Sequence, residues 1–135
     1  MVAIPLMSTP LFFQETHFYS DSAIAEIKPF LAAYKSIRYG LYESLVFPIG
    51  NEPSNQSWAG FQAHHTEKKM GFLTIFREIE NLESEQTIQM KFLKNQKVKF
   101  SNLRNGDKFK KVANNEGFVR FEILKKGDFR FLKYE

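Results

Sequence analysis

The apolar positions follow two different periods, and the change falls near residue 45. From Ser20 to Leu41, Ile24, Ile27, Leu31, Tyr34 and Arg38 recur at helical spacing, with Phe30 and Ile37 beside them. Ser20 or Asp21 can cap this helix, because a short side-chain oxygen accepts a bond from an orphan backbone N–H. Gly40 is a natural stop. Pro29 lies inside the pattern and either kinks the helix or marks its true first turn. From Leu45 onward the spacing shortens to two. Apolar or alternating runs cover 45–49, 57–65, 71–78, 87–93, 97–103, 109–113, 118–124 and 129–134. The fourth run places Ile88, Met90 and Phe92 on one face; the fifth places Val98 and Phe100 on one face. The second and third are close enough to form a hairpin. Asn105–Gly106, Asn115–Gly117 and Lys126–Asp128 supply the turn residues that tight hairpins need.

Seven or eight short strands with a turn every ten residues or so predict a mainly β chain. The expectation is an antiparallel β-sandwich preceded by an N-terminal amphipathic helix. Residues 1–44 form the apolar segment and helix, and 45–135 the sandwich. All five prolines lie at or before Pro53, and a stretch free of proline suits paired strands.

Residues 1–13 are apolar and begin like a signal peptide, but there is no basic n-region, and Pro5 and Pro10 interrupt any helical core. The segment is too short to span a bilayer, so it is expected to face the core, and no membrane partner is expected. Within 135 residues, charge is uneven: residues 1–85 carry six Lys/Arg against ten Asp/Glu, residues 86–135 thirteen against five. The chain has no Cys, which excludes disulfide and thiolate chemistry. Fifteen Phe residues, ten of them from Phe61 onward, suit an aromatic core in the strand region.

The catalytic inventory is thin. Glu78, Glu80, Glu83 and Glu85 share a polar connection, but loop spacing gives no reason for the paired geometry of a glycosidase, and a solvated loop is the plainer role. No GxSxG elbow surrounds a serine, and no Gly-rich phosphate loop is present. His64 and His65 are adjacent on a strand and point to opposite faces, so they cannot share a metal. Catalytic residues, cofactor and metal are therefore all expected to be absent. The lysines at 97, 99, 108, 110, 111, 125 and 126 raise nucleic-acid binding, but lysine alternating with Val98 and Phe100 is what any strand with one buried face looks like. Trp58, Phe61, Gln62 and His64 could offer a sugar platform, with Trp58, Gln62 and His64 as the candidate contacts, provided the indole is exposed; a core-anchoring aromatic is the plainer role.

Several of these pieces together resemble a known family. PLMSTPLFF, a helix ending YKSIR, VFPIGNEP, WAGFQ and GFLTIFRE are similar to the C-terminal part of α-galactosidase-like (melibiase-type) glycoside hydrolases. In that family a catalytic (β/α)8 barrel precedes an antiparallel β-sandwich. The matching positions are Pro48, Ile49, Gly50, Trp58, Gly60, Phe61, Gln62, Phe76 and Arg77. The resemblance implies that residues 1–41 end a barrel and 45–135 form a non-catalytic accessory sandwich. It carries over no catalytic residue, since the family's carboxyls lie on earlier barrel strands. The barrel of a parent enzyme is then the expected partner, with a second copy packed through residues 1–41 as another way to cover that surface. Carbohydrate binding through Trp58 and nucleic-acid binding remain as the alternative readings.

Overall fold

A computed structural model describes residues 5–8, 10 and 16–135. Single 3-10 turns lie at Pro5–Met7 and Thr16–Phe18. The helix α1 spans Asp21–Tyr42, and Ser20 caps it by accepting the Ala23 N–H on its hydroxyl. It runs through Pro29 without ending there. Pro29 and Ala25, the residue four back whose carbonyl loses its donor, are both exposed, so water can take the place of the missing bond.

Eight strands follow among the described residues: β1 Leu45–Gly50, β2 Trp58–His65, β3 Met70–Arg77, β4 Glu85–Gln89, β5 Lys97–Asn102, β6 Lys108–Val112, β7 Phe118–Glu122 and β8 Phe129–Tyr134. Six form an antiparallel sheet in the order β1-β2-β3-β8-β5-β6; β4 and β7 pair as a second, two-stranded sheet. No barrel closes among them. The predicted hairpin of the second and third runs is β2–β3, with Gly60 opposite Ile75 and Gln62 opposite Leu73. No described helix is long and apolar enough to cross a membrane.

The inner face of the large sheet packs on the small one. Trp58, Leu73, Ile75, Val98, Phe100 and Leu132 meet Ile88, Met90, Val119, Phe121 and Ile123 in one core. The outer face carries a second core where Tyr34, Ile37 and Leu41 of α1, with Leu6 and Met7, cover Ala63, Phe72 and Phe131. Leu6 and Met7 thus meet the expectation of a core-facing N-terminus; residues 1–4, 9 and 11–13 lie outside the described residues. Two cores explain two sequence patterns. β3 is covered on both sides and reads as a continuous apolar run, GFLTIF. β5 is covered on one side only and alternates.

One strand differs from expectation. The run at 87–93 was predicted to keep Phe92 on the face of Ile88 and Met90, but β4 ends at Gln89. The chain turns at Lys91–Phe92, and Phe92 takes a left-handed backbone, φ 66°. Phe92 is 52% exposed.

Candidate functional site

Trp58, Gln62 and His64 do share the inner face of β2, but they stand at different ends of it. Six residues of strand separate Trp58 from His64 by about 20 Å. Trp58 is 1% exposed, and its indole N–H is shared between Asn81 Oδ1 (3.2 Å) and the Glu83 carbonyl (3.1 Å). An indole sealed on both faces offers nothing for a sugar ring to stack on, so the exposed Trp58 that the platform requires is not there.

The Trp58 end is a buried polar scaffold. Arg77, directly across the β2–β3 register, is 4% exposed. Its Nη1 donates to the Ile123 and Leu124 carbonyls at 2.9 and 2.8 Å, and its Nη2 to the Asn81 and Leu82 carbonyls, both at 3.0 Å. One guanidinium therefore ties the end of β3 to the chain leaving β7 and to the β3–β4 connection. Glu78, expected in a solvated loop, accepts the backbone N–H groups of Ser57 (2.7 Å) and Ser54 (3.0 Å) and so shapes the β1–β2 connection. Glu85 makes an exposed ion pair with Arg120.

The other end of β2 is built around Tyr134, which sequence reasoning passed over as a strand terminus. Its buried hydroxyl accepts a hydrogen bond from Gln62 Nε2 (2.8 Å), lies 2.9 Å from His64 Nδ1 and 3.3 Å from the Ala63 carbonyl. Burial pushes the Tyr134 phenol far above its usual range, so it stays protonated. Gln62, fully buried, also grips the loop after β4: its Oε1 accepts the Lys91 N–H at 2.7 Å, and its Nε2 donates to the Lys91 carbonyl at 2.9 Å. That clamp sets the residue before Phe92. The Phe92 ring stacks on the His64 imidazole, centroids 4.7 Å apart and planes 12° apart, with Phe47 at 5.8 Å. His64 is 4% exposed, and burial first, then the neighbouring His65, holds its pKa below the usual imidazole value. His65 points the other way, as its adjacency to His64 predicts. Its Nε2 is 3.1 Å from Glu43, just past the end of α1, and Lys68 holds the same carboxylate at 2.9 Å.

A third feature lies on the outer face. An open groove of about 720 Å³ runs over Pro48, Ile49, Phe61, Phe76 and Ile79, with Glu52 and Asn55 among its polar lining. Phe61 also backs the α1 core, so the groove continues the surface on which the helix lies. The far side of the same face is basic: the β5–β6 and β5–β8 registers bring together Lys97, Lys99, Lys108, Lys110 and Lys133. No aromatic ring is exposed among them, and single-strand nucleic-acid sites depend on such rings.

These elements define a class: a sandwich-like β domain with a helix docked on one sheet and a polar hub inside. No family model, curated protein or solved structure matches the chain.

Proposed function

We propose that the chain is a non-catalytic accessory domain of an α-galactosidase-like glycoside hydrolase, supporting a catalytic barrel by covering one of its faces. The observation that carries this reading is the incomplete burial of α1. Tyr34 is its first buried residue, although Ile24, Ile27, Phe30 and Leu31 continue the apolar stripe through the preceding turns. Ile24 is exposed and Ile27 and Leu31 only half-buried. Phe30 packs on Phe129 of β8, so the turns before it, with Ile24 and Ile27, are the part of this 22-residue helix that leaves an apolar side for another body. The groove beside Phe61 widens that surface. The VFPIG, WAGFQ and GFLTIFRE segments that carry the family resemblance fall on β1, β2 and β3, the strands nearest this surface.

The role is mechanical. The barrel would gain a lid of apolar contacts, and α1 would gain a second wall. The test is to produce the barrel encoded in frame with this chain, with and without residues 1–135, and to compare melting and hydrolysis of a chromogenic α-galactoside. Loss of soluble, active barrel on removal is the expected result. A barrel that melts and turns over identically without the domain overturns the reading, as does a reading frame that encodes no barrel.

A further inference from the structure

A second cavity opens on the β6 side of the sandwich, and it stands whether or not the chain serves a barrel. A slot of about 370 Å³ there takes in Asn102, Asp107, Phe109, Lys111, Phe121 and Arg130 along its walls. That volume is at the small end of ligand pockets. Strand alternation decides which side chains face it. Val98 and Phe100 belong to the inner core, so Asn102, two further along β5, faces inward as well. Phe109 registers with Phe100 and Lys111 with Val98, which puts both on that face. Leu132 registers with Asn102, and Arg130 lies two residues before it on β8. Asp107 stands across from Asn102, its carbonyl accepting the Asn102 N–H at 2.7 Å.

Asn102 is the residue that packing does not explain. It is 7% exposed, at the end of a face otherwise filled by apolar side chains. Its Oδ1 accepts the Arg104 N–H at 2.9 Å, which fixes the orientation of the amide. Its Nδ2 has no partner among the described residues and is not sealed off, so it serves the slot. Arg130 is half-buried. Its Nε and Nη2 both donate to the Glu122 carbonyl, at 3.2 and 3.1 Å, which pins the guanidinium and leaves Nη1 over. Asp107 Oδ2 accepts from Asn105 Nδ2 at 2.6 Å, and its Oδ1 is left over in the same way. Lys111 is exposed and makes no ion pair among the described residues.

We infer that this slot binds an acidic α-amino acid of the glutamate kind, its α-carboxylate on Asn102 Nδ2 and Arg130 Nη1, its ammonium on Asp107 and its side-chain carboxylate on Lys111. The mixture of charges selects the class. A plain anion would bring like charge to Asp107, and a plain cation would bring it to Arg130 and Lys111. A zwitterion satisfies both ends. The length fits too. Asp107 and Lys111 are four residues apart, about 13 Å of strand. The lysine stem spans part of that distance and leaves the length of a short acidic side chain. Phe109, half-buried with one face stacked on Phe100 at 5.3 Å, supplies an apolar wall for the methylenes between the charges.

The 135-residue chain itself serves for the test. Isotope-labelled protein is titrated with L-glutamate, L-alanine, glutarate and methyl α-galactoside. The readout is the Asn102 side-chain amide and the backbone signals of residues 107–111. Saturable shifts with glutamate are expected, with weaker binding of alanine, which lacks the second carboxylate, and of glutarate, which lacks the ammonium. Asn102→Asp keeps the acceptor for Arg104 and turns the donor into an anion, so it should weaken glutamate roughly tenfold or more. Lys111→Met, at an exposed position, should lower glutamate about threefold and leave alanine unchanged. Trp58 is buried, so its unchanged emission certifies that each variant is folded. The inference fails if glutamate gives no saturable shifts, or if glutarate or the galactoside binds as well as glutamate does. It fails equally if Asn102→Asp and Lys111→Met both bind glutamate as the parent does.

Discussion

Arg77 is a buried cation whose charge is met by carbonyl oxygens, and that makes its replacement informative. Arg77→Met keeps the length of the side chain and removes the four Nη–H donors that bond carbonyls. The Ile123 carbonyl is the one left dry, since Ile123 is itself buried. An acceptor stranded in that way costs about 2 kcal/mol. Leu82 and Leu124 are exposed and Asn81 half-buried, so their carbonyls can rehydrate, at about 0.5 kcal/mol each. The sum is about 3.5 kcal/mol against a total stability on the order of 10 kcal/mol for a domain of this size. With an unfolding entropy of about 2 cal/mol/K per residue, a chain of 135 residues should melt roughly 13 °C lower. The β3–β4 connection also holds the Trp58 indole through Asn81 and Glu83, so the emission of Trp58 should shift to the red before the global transition. Arg77→Lys should recover only part of the loss, because an ammonium cannot span two separate carbonyl pairs as the planar fork does. A melt of Arg77→Met within about 2 °C of the parent would refute the reasoning, as would full recovery by lysine.

Four further outcomes follow from other parts of the molecule. The His64 pKa is lower folded than unfolded, so its contribution to stability is complete above about pH 6.5 and is lost as the pH falls below that value. Urea midpoints taken downward from neutral pH should therefore decline, and His64→Gln should flatten the slope; an unchanged slope contradicts the assignment. Lys68 and His65 hold the Glu43 carboxyl below its ordinary value, so its own loss comes at still lower pH and does not blur that window. Gly50→Ala should destabilise by about 2 kcal/mol or more, because the residue sits at φ 77° and an added Cβ would strike the Trp58 carbonyl; a neutral result in thermal melts would count against that backbone. Pro29→Ala should stabilise by about 1–3 kcal/mol by restoring an interior helix bond, and circular dichroism that shows no gain would argue that the helix does not pass through this position. Lys108→Val with Lys110→Val should promote aggregation on warming, read by light scattering; a variant as soluble as the parent would remove edge protection as the reason for these lysines.

How much of this was legible depended on whether a signal was local. β5 and β7 could be read because one buried face makes residues alternate, and β3 because burial on both faces makes a continuous run. A helix over 20–41 and a cap at Ser20 or Asp21 followed from spacing and capping chemistry, while the passage of α1 through Pro29 had no signature in the sequence. Phe92 was misplaced because it extends the period of Ile88 and Met90 and its turn carries no glycine to announce a left-handed residue. The pairing of β8 between β3 and β5 had no local signature, and so neither did the hub at Tyr134, which brings β8 against Gln62 and His64 from 70 or more positions away. Gln62 and His64 were singled out, but with Trp58 as their companion. Period-two reasoning gives the face of a strand correctly and says nothing about which end of it a side chain serves.

The basic excess of the C-terminal half finds its explanation at the sheet edge. β6 has no neighbour beyond it, and its ladder groups would accept a strand from another molecule. Lys108 and Lys110 alternate along it, with Lys99 directly opposite Lys110. Like charges in that position repel. Glu135 offsets this by pairing with Lys99 at 2.6 Å and Lys133 at 3.6 Å, and the same lysines hold its carboxyl below the ordinary value. The opposite edge, β1, uses a different device: Pro48 interrupts its row of donors. Both edges are therefore closed to sheet extension by means that need no ligand. The side that carries neither device is where the uncovered turns of α1 and the groove at Phe61 and Phe76 lie. Edge protection thus accounts for Lys108 and Lys110, two of the charges that suggested nucleic acid in the sequence.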